Sequence, residues 1–157
     1  MPSLGEWRVS DICLFVSTEK WDLVSALIRR ATNCAWSHAG FFRLSDSMTY
    51  SAMADGKGLT WRKVRKRQTV FLLDCENAEA MLGEALKWQG EAYNFKGVLG
   101  IIFGRNWDSR GKLFCDQTVF RAAEAVGTPL VNPTFIPREH LTPRDILLSH
   151  SVRQRAA

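Results

Sequence analysis

The sequence lacks the marks of several protein classes. Its N-terminus, MPSLGEWRVSD, has no cationic stretch followed by an apolar run, so no secretory leader is read there. The longest apolar segment, Gly97 to Gly104, is far too short to span a bilayer. None of the four cysteines, Cys13, Cys34, Cys75 and Cys115, forms a C-x-x-C pair, which argues against a zinc ribbon and against a dense disulfide framework. Cys34 and His38 are two candidate metal ligands without a partner pair, a weak signal, and no metal or cofactor is expected. Internal repeats, linkers and low-complexity tracts are also missing. These absences leave a soluble, cytoplasmic chain with reduced thiols as the expectation.

What is present fits one ordinary domain. With 157 residues, 46% of them apolar, the chain can bury a core without disulfides. Residues 1–151 are read as a single domain and residues 152–157 as a frayed tail. The formal charge of +5 is concentrated in Arg62-Lys63-Val64-Arg65-Lys66-Arg67. A solvated strand edge explains that run better than a nucleic-acid patch, because cations on an edge block unwanted strand pairing and only Trp61 adds an aromatic ring nearby. A nucleic-acid partner is therefore not expected. Oligomeric state is left open by the sequence.

Periodicity orders the elements. Ile12 to Ser17 reads as a strand leading into a helix capped by Ser17 or Thr18 and ending near Asn33. Trp36 to Phe42 and Met48 to Met53 read as two strands joined by a turn, with His38, Gly40 and Phe42 on one face. Beside the histidine, Gly40 leaves room for another element to approach. Asp55-Gly56-Lys57-Gly58 is a turn signal, and Thr60 to Leu73 supplies one or two more strands, for a sheet of four or five. Asn77 to Gln89 traces a helix closed by Gly90. Ala92 to Phe103 is a packed connector or short helix, followed by an exposed loop over Arg105 to Lys112. Leu113 to Val126 then forms a helix with Cys115 in its first turn and Cys115, Val119, Ala122, Ala123 and Val126 on one stripe. Thr142-Pro143-Arg144-Asp145 starts a last short helix.

Cys115 and His38 are the residues whose chemistry stands out. A thiol in the first turn of a helix meets the positive end of the macrodipole and unpaired amides, both of which favour the thiolate. A strand histidine takes the thiol proton and later protonates a leaving group. The amides of Cys115 and Asp116 are placed to receive an oxyanion.

Four segments in order resemble the circularly permuted papain-like thiol hydrolases, the branch of the NlpC-type superfamily that includes YiiX-like proteins and lecithin retinol acyltransferase relatives. Trp36-Ser37-His38-Ala39-Gly40-Phe41 is similar to the "SHxGI" histidine motif. Gly90-Glu91-Ala92-Tyr93-Asn94-Phe95 is similar to "G-x-x-Y-[DN]-[FW]", Lys112 to Gln117 to the "FCSEL" nucleophile motif, and Thr142 to Asp145 to "TPxDL". The resemblance covers about Asp11 to Ser149. It implies an α+β, permuted papain-like fold in which a small antiparallel sheet packs against the helix carrying the nucleophile. It also implies that Cys115 is the nucleophile, His38 the base, and Tyr93 a site residue whose hydroxyl supports the oxyanion.

The chain departs from the family pattern in two places. Ser51 stands where a glutamate usually orients the histidine, and a serine cannot stabilise an imidazolium as a carboxylate does. Asp116-Gln117 replaces Ser-Glu, and an aspartate beside the thiol opposes thiolate formation. The resulting expectation is a cysteine hydrolase acting on an amide or ester, with a peptidoglycan-type peptide or an acyl group as substrate. Peptidoglycan would require delivery by a phage or secretion system, while an acyl substrate would bring peripheral membrane contact. The alternative is a binding or assembly protein that keeps the fold with a decayed site.

Overall fold

The computed structural model describes residues 10–20, 22–53, 55–103, 105, 107, 114–132 and 141–155. Its elements run β1 (Ile12–Glu19), α1 (Leu23–Thr32), β2 (His38–Arg43), β3 (Met48–Met53), β4 (Gly58–Lys63), β5 (Gln68–Cys75), α2 (Ala78–Leu86), α3 (Phe95–Phe103), α4 (Cys115–Ala125), α5 (Pro143–Leu147) and β6 (Val152–Gln154). The strands form one six-stranded antiparallel sheet in the order β4-β3-β2-β1-β5-β6. The expected α+β class and the small antiparallel sheet packed on the cysteine helix are what the structure shows.

Alternation along the central strands separates two apolar layers. Leu14 and Val16 of β1, Ala39 and Phe41 of β2, and Tyr50 and Ala52 of β3 share one cluster with Met81, Leu82 and Ala85 of α2 and Val119, Ala122 and Ala123 of α4. The intervening residues Cys13, Phe15 and Phe42 form a second cluster. His38 follows the parity of Phe42, and its ring lies 5.7 Å from that of Phe15. The histidine therefore leaves β2 on the side of the sheet away from α2 and α4.

Several boundaries differ from the sequence reading. β1 extends to Glu19 because Thr18 and Glu19 pair with Thr69 and Gln68 of β5. The cap of α1 accordingly falls not on Ser17 or Thr18 but on Asp22, whose carboxylate accepts from the Ser25 N–H at 3.0 Å. The sheet has six strands rather than four or five because residues 152–154, read as frayed tail, form β6 against Leu73 to Cys75. Arg155 reinforces that edge with an ion pair to Asp74 at 2.8 Å. The connector at 92–103 contains a true helix, α3. The expected loop at 105–112 and the tail beyond residue 155 fall largely outside the described residues.

The basic run starts on the expected edge, with Arg62 and Lys63 on the border strand β4, and continues through the turn toward β5. Arg62 within it is structural. Its guanidinium donates to both Asp55 carboxylate oxygens, at 2.7 and 3.0 Å, and to the carbonyls of Ser51, Gly58 and Thr60.

At Gly40 the backbone of β2 lies close against β3 and Phe15. A Cβ there would stand 2.6 Å from the Tyr50 carbonyl oxygen, 2.8 Å from the Phe15 ring and 2.9 Å from the Ser51 Cβ. Two of these neighbours are backbone or buried core, so they have little room to yield. Gly40→Ala is expected to cost about 1–3 kcal/mol by overpacking, read as a lower urea midpoint. An unchanged midpoint would mean that β3 has freedom to move away.

Candidate active site

The predicted site residues arrive from four elements at one end of the sheet. Cys115 is the first residue of α4, which follows Phe114 in extended conformation. Phenylalanine offers no cap acceptor, and the start of the helix is closed instead by the Gln117 side chain, which accepts from the Phe114 N–H at 3.4 Å. Cys115, Asp116, Gln117, Thr118, Val119 and Phe120 are all buried. The sequence stripe thus captured only one side of a helix whose opening turns are enclosed on every side.

Burial fixes the state of the thiol. Cys115 is 3% exposed, and its Sγ lies 3.3 Å from Asp116 Oδ1, to which the thiol donates. Loss of water and the adjoining carboxylate push the Cys115 pKa well above its ordinary value, while the backbone amides of Ala39 and Asp116 work in the opposite direction. Asp116 is itself 3% exposed. Burial raises its pKa to about 8, with the thiol hydrogen bond pulling down and the charge of Asp145 pushing up. Near neutral pH both groups therefore hold their protons.

Ala39 is the link between thiol and histidine. Its backbone amide favours the thiolate of Cys115, and it follows His38 directly in β2. The paired register of β2 with β3 covers only Phe41 to Arg43, so the thiol approaches β2 beyond the point where the two strands part. His38 Nε2 lies 3.0 Å from Ser51 Oγ, the serine read from the sequence as standing in for an orienting glutamate. Burial lowers the His38 pKa to about 4, with Arg62 and Arg65 adding positive potential in the same direction. The imidazole is neutral at physiological pH. No hydrogen bond runs between His38 and Cys115, and Nδ1 of the ring has no protein partner among the described residues.

Tyr93 precedes α3 and lies near enough to Cys115 and Asp116 for their charges to raise its pKa, although burial is the larger cause. Its ring packs with Ile28, Val98 and Phe114. Tyr93 and His38 both line a cavity of about 310 Å³ at the end of the β2-β1-β5 ladder. That volume lies in the range of small-molecule sites.

Most of the cavity wall escaped the sequence reading. Ser17, Ser25, Ser37 and Gln68 line it. Gln68 Nε2 donates to Ser17 Oγ at 2.9 Å, and the Ser25 and Ser37 hydroxyls are hydrogen-bonded to each other. Arg65 and Glu19, ion-paired at 3.2 Å, also line it. One signal was available, because Ser17 stands opposite His38 in the β1-β2 register. Serines from separate elements carry no common spacing by which to find the rest.

A histidine strand that precedes the cysteine helix, in a chain built on an antiparallel sheet, is the element order that the permuted papain-like resemblance implies. The same architecture is found in the crystal structure of the metalloprotein YiiX from Escherichia coli O157:H7. It matches with a TM-score of 0.67 and 13% identity over 93% of this chain and 96% of that one. At that identity the likeness concerns the fold. No family model matches the chain, and no curated protein matches it.

The protonated carboxyl has a measurable consequence. Asp116 ionises near its ordinary 3.8 when unfolded and near 8 when folded, so the folded chain keeps a proton that the unfolded chain releases between those values. Its stabilising contribution is complete below the lower value and is lost as pH rises through the upper one, by up to about 1.4 kcal/mol per pH unit. Asp116→Asn cannot titrate, so its melting temperature relative to wild type is expected to climb as pH is raised through that window. A constant difference would show that the carboxyl ionises normally.

Proposed function

We propose that the chain is a cysteine hydrolase that cleaves an amide or ester bond through a thioester on Cys115, with His38 as the acid-base residue. The observation that supports this most is the thiol at the first residue of a buried helix, against the amide of the residue that follows His38, in a chain of this fold.

The charge states direct how the reaction would run. Thiol and imidazole are both neutral at rest, so the nucleophile forms by proton transfer during attack and not as a standing thiolate-imidazolium pair. Attack requires the Cys115 side chain to leave Asp116 and pass the β2 edge at Ala39 to reach His38; the sulfur then bonds to the substrate carbonyl carbon as its proton passes to the imidazole. The amides at the start of α4 and the Tyr93 hydroxyl receive the oxyanion. His38 then protonates the departing amine or alkoxide, leaving the acyl group on sulfur. A water molecule that gives its proton to His38 cleaves the thioester, releases the acid and restores the thiol. Ser51 holds the imidazole but leaves its cationic form without a countercharge, and Arg62 and Arg65 oppose that form further.

The cavity wall offers support to both substrate classes. Serine hydroxyls, Gln68 and the Arg65-Glu19 pair suit the polar backbone of a peptide, while Val24, Ile28 and Phe95 suit an acyl chain. Among the described residues no three His, Cys, Asp or Glu side chains gather to hold a metal ion. These residues therefore do not fit the metal indicated for YiiX, and no step is routed through one.

A second reading has its own support. The thiol is turned to Asp116 and unbonded to His38, as in a binding or assembly protein whose cavity holds a ligand without cleaving it.

Turnover separates the two readings. A hydrolase is expected to cleave nitrophenyl esters or peptide amides at a rate that Cys115→Ala and His38→Ala each reduce to background. Iodoacetamide alkylation read by mass spectrometry is expected to find the buried, protonated Cys115 slower than the half-buried Cys34 in the resting protein. Binding of such substrates without cleavage, unchanged in both variants, would favour the binding protein.

The pH profile supplies an independent check. Since His38 must be neutral to accept the proton, kcat/KM is expected to stay flat through neutral pH and to fall only as acid approaches the histidine pKa of about 4. A limb centred between 6 and 7, the ordinary histidine range, would assign the base to another group.

A further inference from the structure

Two neighbouring helices leave large apolar side chains in water. On α1, Leu23, Val24 and Leu27 are 75%, 37% and 42% exposed; on α3, Phe95 and Phe103 are 48% and 62% exposed. Trp107, 41% exposed, packs at a tilt against Phe103 with ring centroids 5.8 Å apart. The two helices meet through Ile28 and Val98, which pack with Phe114 in one cluster. Their exposed rows converge where Val24 and Phe95 both border the cavity. Scattered surface leucines need no explanation, whereas a continuous apolar face on adjoining helices marks an interaction surface.

The charges around this face are of one usable sign. The carboxylates at the cavity rim are committed: Glu19 to Arg65, Asp22 to the α1 cap and Asp55 to Arg62. Lys20, Arg30, Lys66, Arg67 and Lys96 are exposed and form no ion pair among the described residues. Arg30 lies on the outward face of α1 with Leu23 and Leu27, and Lys96 follows Phe95 on α3. A second copy docking face to face would set one cationic rim against another, which is unfavourable at an apolar contact.

We propose that the outward faces of α1 and α3 dock on an anionic lipid bilayer, with Leu23, Leu27, Phe103 and Trp107 in the interfacial layer and the unpaired cations on lipid phosphates. The cavity mouth, bordered by Val24 and Phe95, then opens at the membrane surface. Docking requires only exposed side chains and charge, so it stands or falls independently of whether Cys115 is a nucleophile.

The test is cosedimentation of the full chain with sucrose-loaded vesicles of phosphatidylcholine alone or mixed with phosphatidylserine. Wild type is expected to sediment with the mixed vesicles and to be partly released by salt. Arg30→Gln combined with Lys96→Gln is expected to weaken partitioning about 25-fold, at roughly fivefold per charge removed. Leu27→Gln combined with Phe103→Gln is expected to abolish it, while thermal unfolding confirms that these surface variants stay folded. Wild type remaining in the supernatant with both vesicle types overturns the proposal. So does light scattering that finds a stable dimer dissolved by the apolar variant, which would give the face to a second copy.

Discussion

Enclosure of the first turns of α4 is the constraint on which the rest of the site depends. A helix in a small domain ordinarily buries a stripe and leaves its polar residues in water. Here Asp116, Gln117 and Thr118 go inside with Cys115, and each must find a partner. Gln117 takes the Phe114 N–H, Thr118 donates to the Phe114 carbonyl, and Asp116 accepts from the thiol. The self-sufficiency of that network keeps the thiol protonated. A helix start that would favour a thiolate in water becomes one where desolvation outweighs the amides.

His38 is governed by the same competition with a different outcome. Its hydrogen bond to a serine leaves the charged ring without a countercharge, and two arginines nearby add to the cost of protonation. Cys115 and His38 are thus both held neutral, for separate reasons. Ser51 and Asp116, the two departures from the resembled pattern, each adjoin a group that is held neutral.

The sheet and helices were legible because alternation and helical spacing report directly which face meets the core. β6 was not legible, since Val152-Arg153-Gln154 is too short to display alternation and is recruited by an edge left open elsewhere. The cap of α1 was misplaced because Ser17 and Thr18 are good cap residues whose backbone had been claimed by β5. Cys115, His38, Ser51 and Tyr93 were named through motif resemblance. Of these, His38 and Ser51 are in hydrogen-bonding contact, while Cys115 reaches β2 through Ala39. The depth of Asp116 could not be read, because an aspartate early in a helix looks the same in sequence whether it faces water or the core.

The position of β6 affects how the molecule must be made. β5 pairs on one side with β1, some fifty residues earlier in the chain, and on the other with residues about eighty positions later. During synthesis its outer edge, including the apolar Leu72 and Leu73, stays uncovered until the ribosome has passed residue 154. Such long-range closure slows folding and leaves a template for strand addition in the interval. The nascent chain is therefore most vulnerable to mispairing at the moment when all of its chemistry-bearing residues have already emerged.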